Sequence, residues 1–287
     1  MGIQKGIVIK AMGGFYFVDT PLGIYPSYIR GRLKRKTEVM VGDKVKIKPL
    51  YGDKAIIEEV LPRQNKLVRP AIVNIDQGII VMSMTNPALN LNLLDRFLVL
   101  VQAAGLRVII CFNKIDLSSK TEVERITKVY RRAKFIVIPT SAKSGEGIDV
   151  LREILENKIT VLAGPSGAGK SSILNCIQPG FSLQTGQISR KLGRGRHTTR
   201  HVELLSLAAG GRVADTPGFT SLDLGTIGQR ELMYYYPEFM DKAPECRFPG
   251  CLHWQEPGCA VLEAVEKKQI DGGRYKRYLE LLQELEG

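Results

Sequence analysis

The chain has 287 residues, a formal net charge of +12 and 44% hydrophobic residues. It is long for one domain, comfortable for two or three, and apolar enough for real cores. The positive excess favours a polyanionic partner. No run of 18 apolar residues supports a membrane span, and five cysteines in a chain of this size do not form a disulfide framework.

Residues 1–66 read as short β segments at 3–12, 15–19, 44–49 and 54–60, with Gly13-Gly14 and Tyr51-Gly52-Asp53 at turns. A five-stranded barrel of the OB type fits this spacing, with an SH3-like barrel as the rival. The segment carries 13 Lys and Arg against 6 Asp and Glu. Arg30, Arg32, Lys34, Arg35 and Lys36 cluster in one loop, and Lys44, Lys46 and Lys48 alternate along a strand. With Tyr16, Tyr25, Tyr28 and Tyr51 among them, these cations form the candidate RNA-binding surface, since bases stack on rings beside a cationic groove. The barrel holds no nucleotide ligand, so it is expected to influence catalysis only by bringing RNA to the rest of the chain.

From residue 67 to 220 apolar strand runs at 79–82, 108–112, 135–138, 159–163 and 212–214 alternate with amphipathic stretches at 93–104, 122–132 and 148–156. This predicts a doubly wound α/β domain with its ligand loops at the carboxyl ends of the strands. The apolar run of 93–112 is cut by Asp95, Arg96, Gln102 and Arg107. Asn113-Lys114-Ile115-Asp116 follows the second strand. Asp116 can accept from both N1–H and the 2-amino group of guanine, whereas adenine would leave a buried carboxylate unpaired. The Lys114 stem can cover the base and Asn113 can brace neighbouring loops. Ser141-Ala142-Lys143 follows the third strand, where the Ala142 amide can contact the guanine oxygen.

Gly164-Pro165-Ser166-Gly167-Ala168-Gly169-Lys170-Ser171 matches a phosphate loop, follows a strand and opens a helix at about Lys170; Ser172 completes the candidate GTP contacts. Lys170 is expected to bridge the β- and γ-phosphates and Ser171 to ligate Mg²⁺. Asp215-Thr216-Pro217-Gly218 follows the last strand. There Asp215 can hold Mg²⁺ through water, and the Gly218 amide can reach the γ-phosphate. Phe219 follows Gly218, so the glutamine that orients water in Ras-type enzymes is missing. The segment between, Gly193-Arg194-Gly195-Arg196-His197-Thr198-Thr199-Arg200, occupies the place of switch I. Thr198 or Thr199 can coordinate Mg²⁺, and His197 is the substitute for the missing glutamine.

Residues 221–287 form a third, mainly helical region. Cys246, Cys251, His253 and Cys259 supply three thiolates and an imidazole, a closed set suited to structural Zn²⁺. Such a site is expected to hold its domain together through the metal. Cys111 and Cys176 read as core packing.

All four guanine-nucleotide motifs are present, but the base-reading pair precedes the phosphate loop, which marks a circular permutation. With the Gly-Arg-His-Thr-Thr switch, the Asp-Thr-Pro-Gly-Phe motif and the Cys3His cluster, the chain resembles the bacterial small-subunit-dependent GTPase family RsgA, also called YjeQ. The resemblance spans the chain. It implies an assembly factor that binds the 30S subunit and its 16S rRNA late in maturation; the lack of a membrane span and of a disulfide framework makes a cytoplasmic protein the plain reading, with a monomer expected. The resemblance also implies a weak GTPase stimulated by that subunit, release linked to conversion of GTP to GDP, and His197 as the catalytic switch residue. Ala168, where the family would place valine, and Arg200 after Thr199 are departures. The competing reading is a nucleotide-gated RNA-binding module or translation regulator in which hydrolysis is incidental.

Overall fold

The structure, a computed structural model, describes residues 2–30, 38–50, 53–67, 70–181, 202–215, 222–225 and 227–286. Strands β1 (Gln4–Met12), β2 (Phe15–Thr20), β3 (Gly23–Ile29), β4 (Lys44–Pro49) and β5 (Ala55–Val60) come first. They close as β1-β2-β3-β5-β4, with β4 returning to β1. The β3–β5 pair is parallel while its neighbours are antiparallel, the Greek-key crossover of the OB type. Gly13 and Gly14, at φ 61° and 81°, make the two-residue turn joining β1 to β2, a conformation open to few other residues. Val8, Val18, Val45, Ile47 and Ile57 fill the barrel interior. β3 was not among the strands expected, because Pro26 interrupts its pattern. A two-residue ladder, β6 (Lys66–Leu67) with β7 (Ile72–Val73), leads out of the barrel.

The central sheet contains β8 (Gln77–Ser83), β9 (Arg107–Asn113), β10 (Ile136–Pro139), β11 (Ile159–Ala163), β12 (Glu203–Ser206) and β13 (Arg212–Asp215). Its order is β10-β9-β8-β11-β13-β12, parallel except for the last pair. Helices α1 (Leu91–Ala103) and α2 (Lys120–Arg132) cover one face; α3 (Ile148–Leu155) and α4 (Lys170–Ile177) cover the other. Along β8 the side chains therefore alternate between two apolar layers, Ile80 and Met82 on one side, Ile79 and Val81 on the other.

The barrel is joined to this sheet, although it holds no nucleotide ligand. β1 pairs with β12, Lys10 lies 2.7 Å from Glu203, and Asp19 is paired with Arg212 at 2.6 Å. β12 was also missed in the sequence: its Glu-Leu-Leu-Ser run is too short and too weakly apolar to stand out.

The tail is built from α5 (Gln229–Leu232), α6 (Pro237–Met240), α7 (Ala260–Glu266) and α8 (Gly272–Glu284). It has an apolar core of its own, including Leu232, Tyr236, Phe239, Val261, Tyr278 and Leu282, joined by Val99 of α1. The helices of the tail thus pack by apolar burial, in addition to whatever a metal at the Cys/His cluster would contribute. Asp95, read from sequence as an interruption of an apolar run, is fully buried and fastens the tail to α1. Its carboxylate accepts from Arg274 at 2.6 Å, Arg277 at 2.5 Å and the Tyr130 hydroxyl at 2.8 Å. Arg274 also donates to Glu238 at 2.8 Å and lies over the Tyr236 ring. Removing one member leaves buried charge uncompensated. Asp95→Ala is therefore expected to cost about 3–5 kcal/mol, seen as a lower urea midpoint with GTP affinity little changed. A midpoint equal to wild type would contradict the fastening role.

Candidate functional site

Because β9, β10, β11 and β13 run parallel, the loops that follow them emerge at one edge of the sheet. Asn113, the last residue of β9, is buried and joins three of these loops. Its Nδ2 donates to the Ala168 carbonyl of the phosphate loop at 2.9 Å. Its Oδ1 accepts from the Ala142 amide at 3.2 Å. The expected bracing role of Asn113 thus has a geometry. The Ala142 amide, however, is directed at Asn113, so a contact with a base oxygen requires that N–H to be shared.

The close approach of Asn113 dictates a glycine. A Cβ on Gly169, whose φ is 98°, would lie 2.1 Å from the Asn113 amide nitrogen. Lys114 takes a left-handed φ of 63° and donates to the Gly167 carbonyl at 2.8 Å and to the Asn86 carbonyl. Its stem therefore lies along the phosphate loop. Asp116 is exposed, and one of its oxygens accepts from the buried Ser141 hydroxyl at 2.7 Å. Ser141 in turn accepts from the Ser144 amide at 3.1 Å, which closes the turn around exposed Lys143. This arrangement presents the Asp116 carboxylate to donors arriving from solvent.

Lys170 opens α4, and its ammonium rests on the Gly164 and Pro165 carbonyls at 2.8 and 2.9 Å. Burial lowers its pKa from the ordinary lysine value, a penalty that a polyanion beside it would reverse. Ser171 is buried one residue into the helix, Ser172 half-buried, and Ser166 exposed on the loop with Gly167. Ala168 is fully buried and belongs to the same apolar layer as Ile79 and Ile173. Asp215 ends β13 on the same edge. His197, Thr198, Thr199 and Gly218 lie outside the described residues, as do Arg32, Lys34, Arg35 and Lys36.

Two supports were not legible beforehand. The Cys176 thiol, expected to be plain core, donates to the Ala142 carbonyl at 2.9 Å, and Thr140 lies 3.2 Å from Cys111. Neither contact leaves a local pattern, since the partners are 34 and 29 residues apart.

On the barrel, Lys44 and Lys48 point outward and are exposed. Lys46 is paired with Glu59 at 2.6 Å, and Arg30 stands 3.8 Å from Glu58, so part of the cationic face is neutralised. Tyr16 and Tyr25 pack against the barrel core, Tyr28 is exposed, and Tyr51 lies outside the described residues.

Cys246, Cys251, His253 and Cys259 place their ligand atoms within 4.8 Å of one another and could hold a metal ion. The Cys246 and Cys259 sulfurs are 3.9 Å apart, and His253 Nδ1 is 3.6 and 3.4 Å from them. A tetrahedral ion with bonds of about 2.3 Å requires sulfurs about 3.8 Å apart, which Cys246 and Cys259 meet, with His253 beside them and Cys251 within 4.8 Å. Burial keeps His253 below its usual value, leaving the ring neutral, and pushes the Cys251 thiol up to about 12. A cation is what would make that thiol a thiolate. The Tyr275 and Tyr278 hydroxyls hold the ligand loop by donating to the His253 and Leu252 carbonyls. No helix among the described residues is long and apolar enough to cross a membrane.

Gly169→Ala is expected to displace Asn113 and weaken GTP binding by about tenfold or more, because strain of this kind costs about 1–3 kcal/mol. Titration with a fluorescent GTP analogue measures it, and wild-type affinity would show that the tie does not shape the pocket.

The sequence matches the family described as RsgA GTPase over residues 60–225 and that described as RsgA N-terminal domain over residues 5–57. It is 44% identical over 282 residues to the small ribosomal subunit biogenesis GTPase RsgA of Caldanaerobacter subterraneus subsp. tengcongensis, covering 98% of this chain and 95% of that one. The relative of the same name from Carboxydothermus hydrogenoformans is 44% identical over 284 residues, covering 98% of both. The crystal structure of YjeQ from Thermotoga maritima aligns with a TM-score of 0.86 and 35% identity, over 100% of this chain and 99% of that one. That of YloQ, a circularly permuted GTPase, aligns with a TM-score of 0.84 and 36% identity, over 99% and 96%.

Proposed function

The chain belongs to the RsgA GTPase family and is a GTP hydrolase of small ribosomal subunit biogenesis, and from that premise we propose how its residues act. The observation that carries the reading is the convergence of the base-reading and phosphate loops on Asn113. GTP lies across this joint. Asp116, steadied by Ser141, accepts from N1–H and the 2-amino group of guanine, while the Lys114 stem covers the base and Ala142 and Lys143 line its edge. The backbone amides of residues 164–169 and the positive end of α4 wrap the β-phosphate. Lys170 leaves the loop carbonyls to bridge the β- and γ-phosphates, and Ser172 stands beside it.

Mg²⁺, which accompanies GTP, would be held by Ser171, by Asp215 through water and by Thr198 or Thr199, and would supply positive charge against the phosphates. His197 orients the attacking water; its oxygen bonds to the γ-phosphorus as the bond to the β–γ bridging oxygen breaks, giving GDP and phosphate. The Gly218 amide is the donor assigned to the γ-phosphate. Zn²⁺ is the ion suited to Cys246, Cys251, His253 and Cys259, three soft thiolates and an imidazole with no open position, and its role is structural.

The partner is the 30S subunit, met through 16S rRNA by Arg30, Lys44, Lys48 and the basic residues Arg32, Lys34, Arg35 and Lys36, with Lys46 beside them. Docking stimulates hydrolysis, and conversion to GDP is linked to release. The working unit is a cytoplasmic monomer of three parts: a barrel over 1–66, a permuted GTPase over 67–220 and a metal-bearing tail over 221–287.

His197→Ala is expected to leave GTP affinity nearly intact and to lower subunit-stimulated turnover by roughly 10²-fold, the scale of water positioning. Single-turnover hydrolysis with and without purified 30S subunits measures it. Unchanged stimulated turnover would return His197 to contact with RNA.

A further inference from the structure

The barrel grips both ends of the β12–β13 hairpin. At one end a single row of cross-strand partners runs from Lys10 in β1 to Glu203 in β12 to Asp215 in β13. Lys10 Nζ is 2.7 Å from Glu203 Oε2. At the other end Ser206 stands opposite Arg212, and one oxygen of Asp19 serves both. It accepts from Ser206 at 3.2 Å and from Arg212 at 3.2 Å through Nε and 2.6 Å through Nη2. Adjacent strands lie about 4.8 Å apart, which sets β1 only about 10 Å from the strand that ends in Asp215.

Two strands of four residues are too short to stand alone. β13 is anchored on its inner edge by β11, whereas among the described residues β12 pairs with β13 and with β1. The barrel thus completes the sheet at the hairpin, and a tilt of the barrel carries the hairpin with it. Both ion pairs are partly covered, with Asp19 and Arg212 each about one-fifth exposed, so solvent screens them less than an open surface pair. Phosphoryl transfer is sensitive to such movement, since a displacement of about 1 Å can cost about 10²-fold in rate.

We propose that Lys10, Asp19, Glu203 and Arg212 are positioning residues for hydrolysis, which transmit docking of the barrel on ribosomal RNA to the strand that ends in Asp215. This rests on the reading that the small subunit stimulates turnover. Chain order supports the route: β12 and β13 immediately flank the segments at 193–200 and 215–218 that carry the switch motifs. The barrel is then a lever on the site as well as an anchor.

The test is a charge-swap cycle read as subunit-stimulated kcat at saturating 30S subunits, alongside the half-saturating subunit concentration. Lys10→Glu and Glu203→Lys are each expected to lower stimulated kcat by about two- to thirtyfold, the range carried by coupled networks. The double swap should recover most of that loss. Asp19→Asn, which keeps the side-chain volume, should lower kcat in the same range while thermal unfolding confirms a folded chain. A change confined to the half-saturating concentration would make these residues simple docking contacts and overturn the proposal, as would a double swap no better than its singles. A wild type that subunits fail to stimulate would overturn the functional reading and this inference together. Stimulated wild type with unaffected variants would overturn the inference alone.

Discussion

The Asn113 carboxamide is the joint on which the nucleotide pocket depends. It donates to the phosphate loop and accepts from the loop after β10, and it can do both only because β9 and β11 are held one strand apart by β8. Such a side chain is buried at a cost unless its polar atoms are paired, so the two loops and Asn113 fix one another. The left-handed Gly169, the Lys114 stem over Gly167 and the Ser141–Asp116 contact all follow from that placement. None depends on which loop comes first along the chain. The permuted order therefore leaves these contacts intact, because each loop is delivered by its own strand.

Permutation changes what lies beside the site. The chain enters through a barrel whose first strand extends the sheet at β12, and it leaves through a tail clamped to α1 by Asp95 and Arg274. The two attachments differ in kind. The tail is secured by a buried charge cluster and an apolar core, an arrangement whose loss of one partner is severe. The barrel is secured by a short ladder and partly covered ion pairs, individually weaker than the buried cluster but placed at both ends of the β12–β13 hairpin.

Much of this was legible in the sequence. Buried parallel strands such as β11 are unbroken apolar runs, and the motifs after them announce a ligand edge because their chemistry is carried by short, contiguous spacing. The Cys246–Cys259 cluster was visible for the same reason. What escaped was either short or distant. β12 has four residues and no periodicity to detect, and β3 carries a proline. Asp95 read as a break in an apolar helix because its partner Arg274 lies 179 residues away. Lys10 and Asp19 carry no local sign of their partners, since Glu203 and Arg212 are each 193 residues distant. Local patterns report propensity and burial; they do not report which buried charge meets which.

The central claim is that three loops, gathered at Asn113, form a pocket that reads guanine through Asp116. Its most direct test is displacement of a bound fluorescent guanine nucleotide from the full chain by unlabelled GTP and, separately, by ATP. A site built to pair with a base's donors rejects the analogue that lacks them, so GTP is predicted to displace the probe at concentrations about 10⁴-fold lower than ATP. Displacement by ATP in the same concentration range as GTP would contradict the account.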